Sequence, residues 1–181
     1  TIKGKMILHT TSSDDNYKVP FINTTAGSHP IFQFMRDRTD IRMSSTFVDE
    51  LVGTADPRLP FYVGLDLAGE YSGSNPGGEV PAASVPGPYC NSGDAPVYLS
   101  TYSEMMFIAS ECHLALNAGG DALDSYKAGI EASIMNVTGA AADSTYNADY
   151  IQITSVNVQN VIEQKYIALF ATVMPYDDWR R

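Results

Sequence analysis

The chain has 181 residues, 44% of them apolar, with 11 Lys and Arg against 21 Asp and Glu, for a formal net charge of −10. That length and apolar fraction supply one ordinary core, and no run approaches the roughly 18 apolar residues of a membrane-crossing helix. The acidic balance repels nucleic acid and anionic headgroups and leaves no basic stripe for phosphates, which sets polyanions aside as partners.

Residues 1–42 read as a loop-rich lead-in. Met6-Ile7-Leu8 is a short β-prone run, but Asp14-Asp15-Asn16 and Ala26-Gly27-Ser28 are turn-formers, and neither a period of 2 nor one of 3.6 is sustained. A short helix is expected over 43–53, capped by the hydroxyl of Ser44 or Ser45, with Gly53 permitting a left-handed exit and Asp56-Pro57 stopping any continuation. From 64 to 96 the letters turn to Gly, Pro, Ser and Asn, too poor in helix formers for a regular element. A connection of about 30 residues inside a compact domain is usually functional or disordered.

Thr101 and Glu104 form a capping box in sequence, opening a helix that reaches Asn117 and stops at Gly119-Gly120. Asp121 is placed to cap the next, whose Ala122, Tyr126, Ile130, Ile134 and Val137 share one face. So short a link predicts an antiparallel hairpin over 101–137. A third helix is predicted over 155–173, turning Val158, Val161, Ile162, Leu169 and Phe170 inward, with Pro175 limiting its end. The fold class expected is mainly α and helical-repeat-like, a TPR-type hairpin plus a docking helix with long irregular loops, although no internal repeat is visible in the sequence. The 181 residues read as a single domain or a fragment.

Few residues suggest catalysis. Glu104 and Glu111 lie on one helix face about 10 Å apart along its axis, the separation a glycosidase pair needs. Capping already accounts for Glu104, however, and Glu111 is one acid in an acidic protein, so no catalytic residues are expected. His9, His29 and His113 have no nucleophile elbow to serve, and neither Cys90 nor Cys112 sits in a nucleophile motif. The two cysteines could pair in an oxidising compartment or remain thiols. Asp14-Asp15-Asn16 lacks the alternate spacing of a calcium loop, and Gly73–Gly78 lacks the Lys-Ser/Thr of a phosphate loop. Neither a metal nor a cofactor is expected.

The candidate ligand-binding residues are loop aromatics and amides: Tyr62, Tyr71 and Tyr89, with Asn75, Asn91 and the nearby Asp94. Sugar rings stack their C–H faces on aromatic planes and pair their hydroxyls with amides and carboxylates. The alternative for each Tyr is that it pins its own loop to the core. Tyr98, Tyr102, Tyr126 and Tyr166 are read as helical core.

Four segments have unusually specific lettering: Arg42-Met43-Ser44-Ser45-Thr46 with Val48-Asp49; Asp56-Pro57-Arg58-Leu59; Tyr102 to Glu111; and Ile162-Glu163-Gln164-Lys165-Tyr166 with Asp178-Trp179-Arg180-Arg181. Together with Tyr126–Met135 they resemble, from about Pro30 to Arg181, the SusD/RagB-like family, particularly its starch-binding branch associated with the outer membrane. Met174 and Tyr176 stand where that family commonly has Glu and Trp.

The resemblance implies a fragment of a larger SusD-like fold, with Thr1 inside a longer protein and Arg181 before its natural end. It implies a non-enzymatic, surface-exposed lipoprotein of the cell outer membrane that captures a nutrient, usually a glycan, and hands it to a TonB-dependent, SusC-like transporter. Peptide or other nutrient capture, as in RagB-like members, and a non-binding helical scaffold are the alternatives. No basic or apolar leader and no lipid-attachment Cys lies near Thr1, so membrane attachment is expected only through an anchor that this stretch does not carry. In the family the corner of Glu163, Lys165, Asp178, Arg180 and Arg181 looks structural.

Overall fold

The computed structural model describes residues 16–38 and 40–180. Met6-Ile7-Leu8, His9, Asp14, Asp15 and Arg181 lie outside the described residues. The chain divides into two compact units, one made of residues 19–97 and the other of the stretches up to 18 and from 98 onward. Two short strands, β1 (Tyr17–Val19) and β2 (Val97–Ser100), pair in a two-stranded sheet. No helix of the described residues is long and apolar enough to cross a membrane.

Among the described residues, the unit of 19–97 holds the helices α1 (Pro30–Asp37), α2 (Ser45–Gly53) and α3 (Leu59–Tyr62). The first lies within the stretch read from sequence as loop. Pro30 opens it and the His29 ring accepts from the Ile31 amide, a pair of signals that the absence of a long apolar period hides. Ser44 is the N-cap of α2 but its hydroxyl makes no capping bond, and Gly53 remains helical; Ala55, at φ 50°, makes the left-handed turn instead. Phe47, Val48 and Leu51 form the buried face of α2.

α2 ends at Gly53, before Asp56-Pro57, and Arg58 is the N-cap of the separate short helix α3. The Arg58 guanidinium donates from Nε and Nη2 to the two Asp56 carboxylate oxygens at 2.9 and 2.6 Å, its amide donates to Asp56 Oδ1 at 2.8 Å, and both side chains are fully buried. Such a fork is planar and charge-assisted, which fixes direction as well as energy. The 64–96 stretch carries no helix or strand, only isolated bridges from Ser74 to Ser44 and from Pro86 to Val63.

The second unit is helical: α4 (Tyr102–Ala115), α5 (Gly119–Thr138), the single turn α6 (Ser144–Tyr146) continuing as a π-turn through Ile151, α7 (Val158–Ala168) and α8 (Met174–Trp179). Thr101 caps α4 by accepting from the Glu104 amide at 3.1 Å. The reversal between α4 and α5 is made by Asn117 at φ 55°, while Gly119 and Gly120 are the first helical residues of α5 and Asp121 lies in its first turn, after the cap position at Ala118.

α4 packs chiefly on α5 and then on α7. Phe107, Tyr126, Ile130, Ile134, Tyr146, Ile151 and Val161 form the core. Ser103 and Ser110 donate across the hairpin to the carbonyls of Gly129 and Ala122, at 2.7 and 2.8 Å. Gly129 faces the Phe107 ring so closely that any Cβ there would press on it.

α7 is shorter than its sequence period suggested. Asn157 and Asn160 form a reciprocal capping box, Val158 just after the cap is exposed, and Gln164 and Lys165 are buried in its place. Ala171 turns the chain at φ 62°, and Pro175 starts α8 rather than closing α7, since its missing N–H costs nothing in a first turn. Both cysteines are free thiols; Cys90 is buried, which pushes its pKa up to about 11, and Cys112 is exposed.

Removing one partner of a buried ion pair strands the other charge. Arg58→Ala is therefore expected to destabilise the chain by about 3–5 kcal/mol, measured by urea denaturation with circular dichroism.

Candidate functional site

The residues from Ser72 to Ser84 are held by backbone hydrogen bonds despite having no regular element. Ser74 donates to the Met43 carbonyl at 2.8 Å, Ser45 to Ser74 at 3.0 Å, Met43 to Ser84 at 2.9 Å and Ser84 to Ser72 at 3.0 Å. Gly73 lies directly against the Ser44–Ser45 backbone, where any Cβ would clash. Arg42 straps the far side of the loop, donating from Nε and Nη2 to the Pro81 carbonyl at 3.0 and 2.8 Å and from Nη1 to the Ile41 carbonyl at 3.0 Å.

These contacts leave a cleft of about 740 Å³ lined by Asp40, Arg42, Ser44, Ser74, Asn75 and Glu79 together with Pro76, Val80 and Pro81. That volume falls within the span of small-molecule sites, and the walls alternate polar groups with apolar faces. Asn75 Oδ1 accepts from the Ser45 hydroxyl at 2.8 Å, which fixes the amide at the cleft wall. Asp40 pairs with Arg38 at 3.1 Å on the exposed surface.

Of the six residues singled out by sequence, the structure places one, Asn75, in this cleft. Tyr62 is fully buried, its ring between Phe47 at 6.1 Å and the edge of Tyr89 at 4.9 Å, so it offers no face to a ligand. Tyr89 is half-buried against it. Asn91 spends its amide on the Pro86 carbonyl at 3.2 Å, closing its own loop. Tyr71 is half-buried beside a tight Asx turn, in which Asp66 accepts from the amides of Ala68 and Glu70 and from the Ser72 hydroxyl. The Ser72 hydroxyl, then the backbone amides, hold the Asp66 carboxyl below its ordinary range. Asp94 is similarly lowered by the Ser92 hydroxyl. Sequence reasoning did not single out Asp40, Arg42 and Glu79 for this cleft; Glu79 directly follows the glycine-rich segment, whereas Asp40 and Arg42 are about 30 residues away and reach it only through the fold.

The helical unit has a second polar centre. Lys165 Nζ, with a side chain 4% exposed, donates to Glu111 Oε1 at 2.9 Å and to Asp178 Oδ1 at 3.0 Å. The expected corner is thus joined by Glu111 from α4, while Glu163 pairs with Gln159 and Arg180 lies over the Tyr176 ring. Burial raises the Glu104 pKa and the Asp178 charge adds to this, against the Thr101 amide and Lys165. Beside this centre, Ile162, Tyr166, Pro175, Tyr176 and Trp179 line an apolar groove of about 470 Å³. Tyr166 is exposed here rather than core, and Tyr98 lies on β2 rather than on a helix.

A family model described as starch-binding and associating with the outer membrane matches residues 2–181. The chain belongs to the SusD-like family. A chitin-binding SusD homologue from Flavobacterium johnsoniae is 25% identical with a TM-score of 0.78, over 95% of this chain and 42% of its own. A SusD homologue from Bacteroides fragilis is 19% identical (TM-score 0.74; 95% of this chain, 46% of that one), and a SusD/RagB family protein from Bacteroides thetaiotaomicron is also 19% identical (TM-score 0.69; 94% and 44%). The mainly helical fold is therefore that of SusD homologues, of which the chain spans less than half the length. No curated protein is similar enough to match.

Two outcomes follow. Gly73→Ala forces the loop off the Ser44–Ser45 backbone and is expected to cost about 1–3 kcal/mol in urea denaturation. Because the folded pKa of Glu104 lies above its ordinary 4.5, folding favours the protonated acid, and this contribution grows as pH falls through the folded pKa. Glu104→Gln should raise Tm near neutrality and converge with the parent below about pH 4.5 in melts across that range.

Proposed function

We propose that this SusD-like protein captures a neutral glycan at the outer membrane and passes it to a TonB-dependent transporter, with the 40–44 and 74–81 walls contributing part of the glycan site. The observation that carries this reading is the ordered cleft with Asn75, Ser44, Ser74 and Glu79 beside proline and valine faces. A sugar offers hydroxyls to such groups and C–H faces to such walls. The family description and the chitin-binding homologue support the same ligand class.

Charge narrows the class. The Arg42 guanidinium is already committed to two backbone carbonyls, and Glu79 adds an acid to a protein of net charge −10, which disfavours uronates and sulfated sugars. The carboxylate arrangement gives no support to glycosidase chemistry: Glu111 is bound to Lys165 and Glu104 belongs to the first turn of α4.

A second reading rests on the exposed rings of Tyr176 and Trp179, stacked at 6.1 Å with 28° between planes, which could carry a sugar face. Trp179 is the sole tryptophan. Its emission shifts on glycan addition if that face is used and stays constant if the cleft is used.

The test is calorimetry with chitin-derived, starch-derived and uronate oligosaccharides, on this chain and on a full-length form. Neutral oligosaccharides are expected to bind with a Kd of about 1 mM or tighter, Asn75→Ala to weaken binding roughly fivefold to tenfold, and uronates to give no heat. Unchanged affinity in Asn75→Ala would remove the cleft from the site.

A further inference from the structure

We propose that His29 is a proton-sensitive latch joining the start of α1 to the loop at Gly93. The geometry assigns the imidazole one tautomer. Its Nδ1 accepts from the Ile31 amide at 3.1 Å, and since a backbone N–H must donate, Nδ1 carries no proton and Nε2 carries one. The residue is 4% exposed, with the edge of the Phe21 ring 5.4 Å away, and its own amide donates to the Gly93 carbonyl at 3.0 Å. One residue thus caps α1 through its ring and ties the 91–95 loop through its backbone.

Protonation reverses the ring's part. A hydrogen on Nδ1 would face the Ile31 N–H, two donors with no acceptor between them. The new charge would sit in a buried site and at the positive end of a helix, and both effects oppose it. Among the described residues no charged group offsets this. The 21–28 segment, from which Phe21 meets the ring, holds no ionisable side chain. In α1 the only charges are Arg36 and Asp37, paired with each other in the last turn, and in the loop Asp94 is exposed and bound to Ser92. Burial lowers the His29 pKa from 6.5, in the same direction.

The sign follows. With the folded pKa below the unfolded one, the latch's contribution to stability is complete above pH 6.5 and is lost as pH falls through the folded pKa. Acidification opens the first turn of α1 and loosens the tie to Gly93, while a non-titrating acceptor at the same place holds it closed.

The test uses nitrogen NMR of the imidazole and amide exchange on the 181-residue chain, with His29→Asn as the non-titrating cap. Expected are the Nε2–H tautomer near neutrality, a titration midpoint below 6.5, and a loss of Ile31 protection of roughly fivefold or more between about pH 7.5 and 5 in the parent, but under about twofold in His29→Asn. An Nδ1–H tautomer, a midpoint at or above 6.5, or equal loss of protection in both proteins would overturn the latch. Tautomer and midpoint are read on the parent, so the proposal stays decidable even if the variant does not fold.

Discussion

The buried Asp56–Arg58 ion pair is the interaction on which the 19–97 unit depends. Two charges removed from water are tolerated only when geometry is good and the remaining hydrogen-bonding capacity is used. Here the guanidinium fork meets both carboxylate oxygens, and the Arg58 amide adds a third bond. The Arg58 carbonyl then receives the amides of Phe61 and Tyr62, which makes α3 a direct extension of the pair. Phe61 and Tyr62 in turn accept from Tyr89 and Gly87, so the 86–91 loop hangs on a helix of four residues. Disturbing the pair would reach that loop through a continuous series of backbone hydrogen bonds.

The cleft shows the same economy of side chains. A stretch without helix or sheet must still pair its buried peptide groups, and here they pair with Met43, Ser45 and Ser72 across the loop while Arg42 takes up the Pro81 carbonyl. The walls are consequently placed by backbone geometry, and small residues permit the approach: Gly73 against Ser45, and Gly87 against the Phe61–Val63 backbone. In the proposed glycan role, the cleft's amide, hydroxyl and carboxylate groups are already ordered by the backbone, which limits the entropy to be lost on binding.

The helical unit solves a different problem. Its core is apolar, yet polar groups secure the helices to one another: two serines bridge α4 and α5, Tyr146 donates to Gln164 at 3.2 Å, and Lys165 joins α4, α7 and α8 through two carboxylates. These bonds are directional where apolar packing is not, so they select one register for the hairpin and its docking helix. The buried lysine explains why a helix with one apolar stripe carries a Gln-Lys pair at inward positions.

The sequence by itself determined the features that depend on near neighbours. Thr101 with Glu104, the Ala122–Tyr126–Ile130–Ile134 stripe and the helical hairpin are written in caps and periods within a few turns, and the family lettering carried the fold. Turn chemistry was legible only in part: Gly53, Gly119 and Gly120 could take left-handed conformations, but Ala55, Asn117 and Ala171 do so, because the position of a reversal is set by what the flanking helices bury. For the same reason only tertiary structure could separate the aromatics. Tyr62 lies at zero exposure because Phe47 and Tyr89 enclose it, whereas Tyr166 and Trp179 face outward from helical positions. It alone also brought Asp40, Arg42 and Glu79 to Asn75, residues up to 39 positions apart whose meeting is decided by long-range backbone pairing that no local pattern encodes.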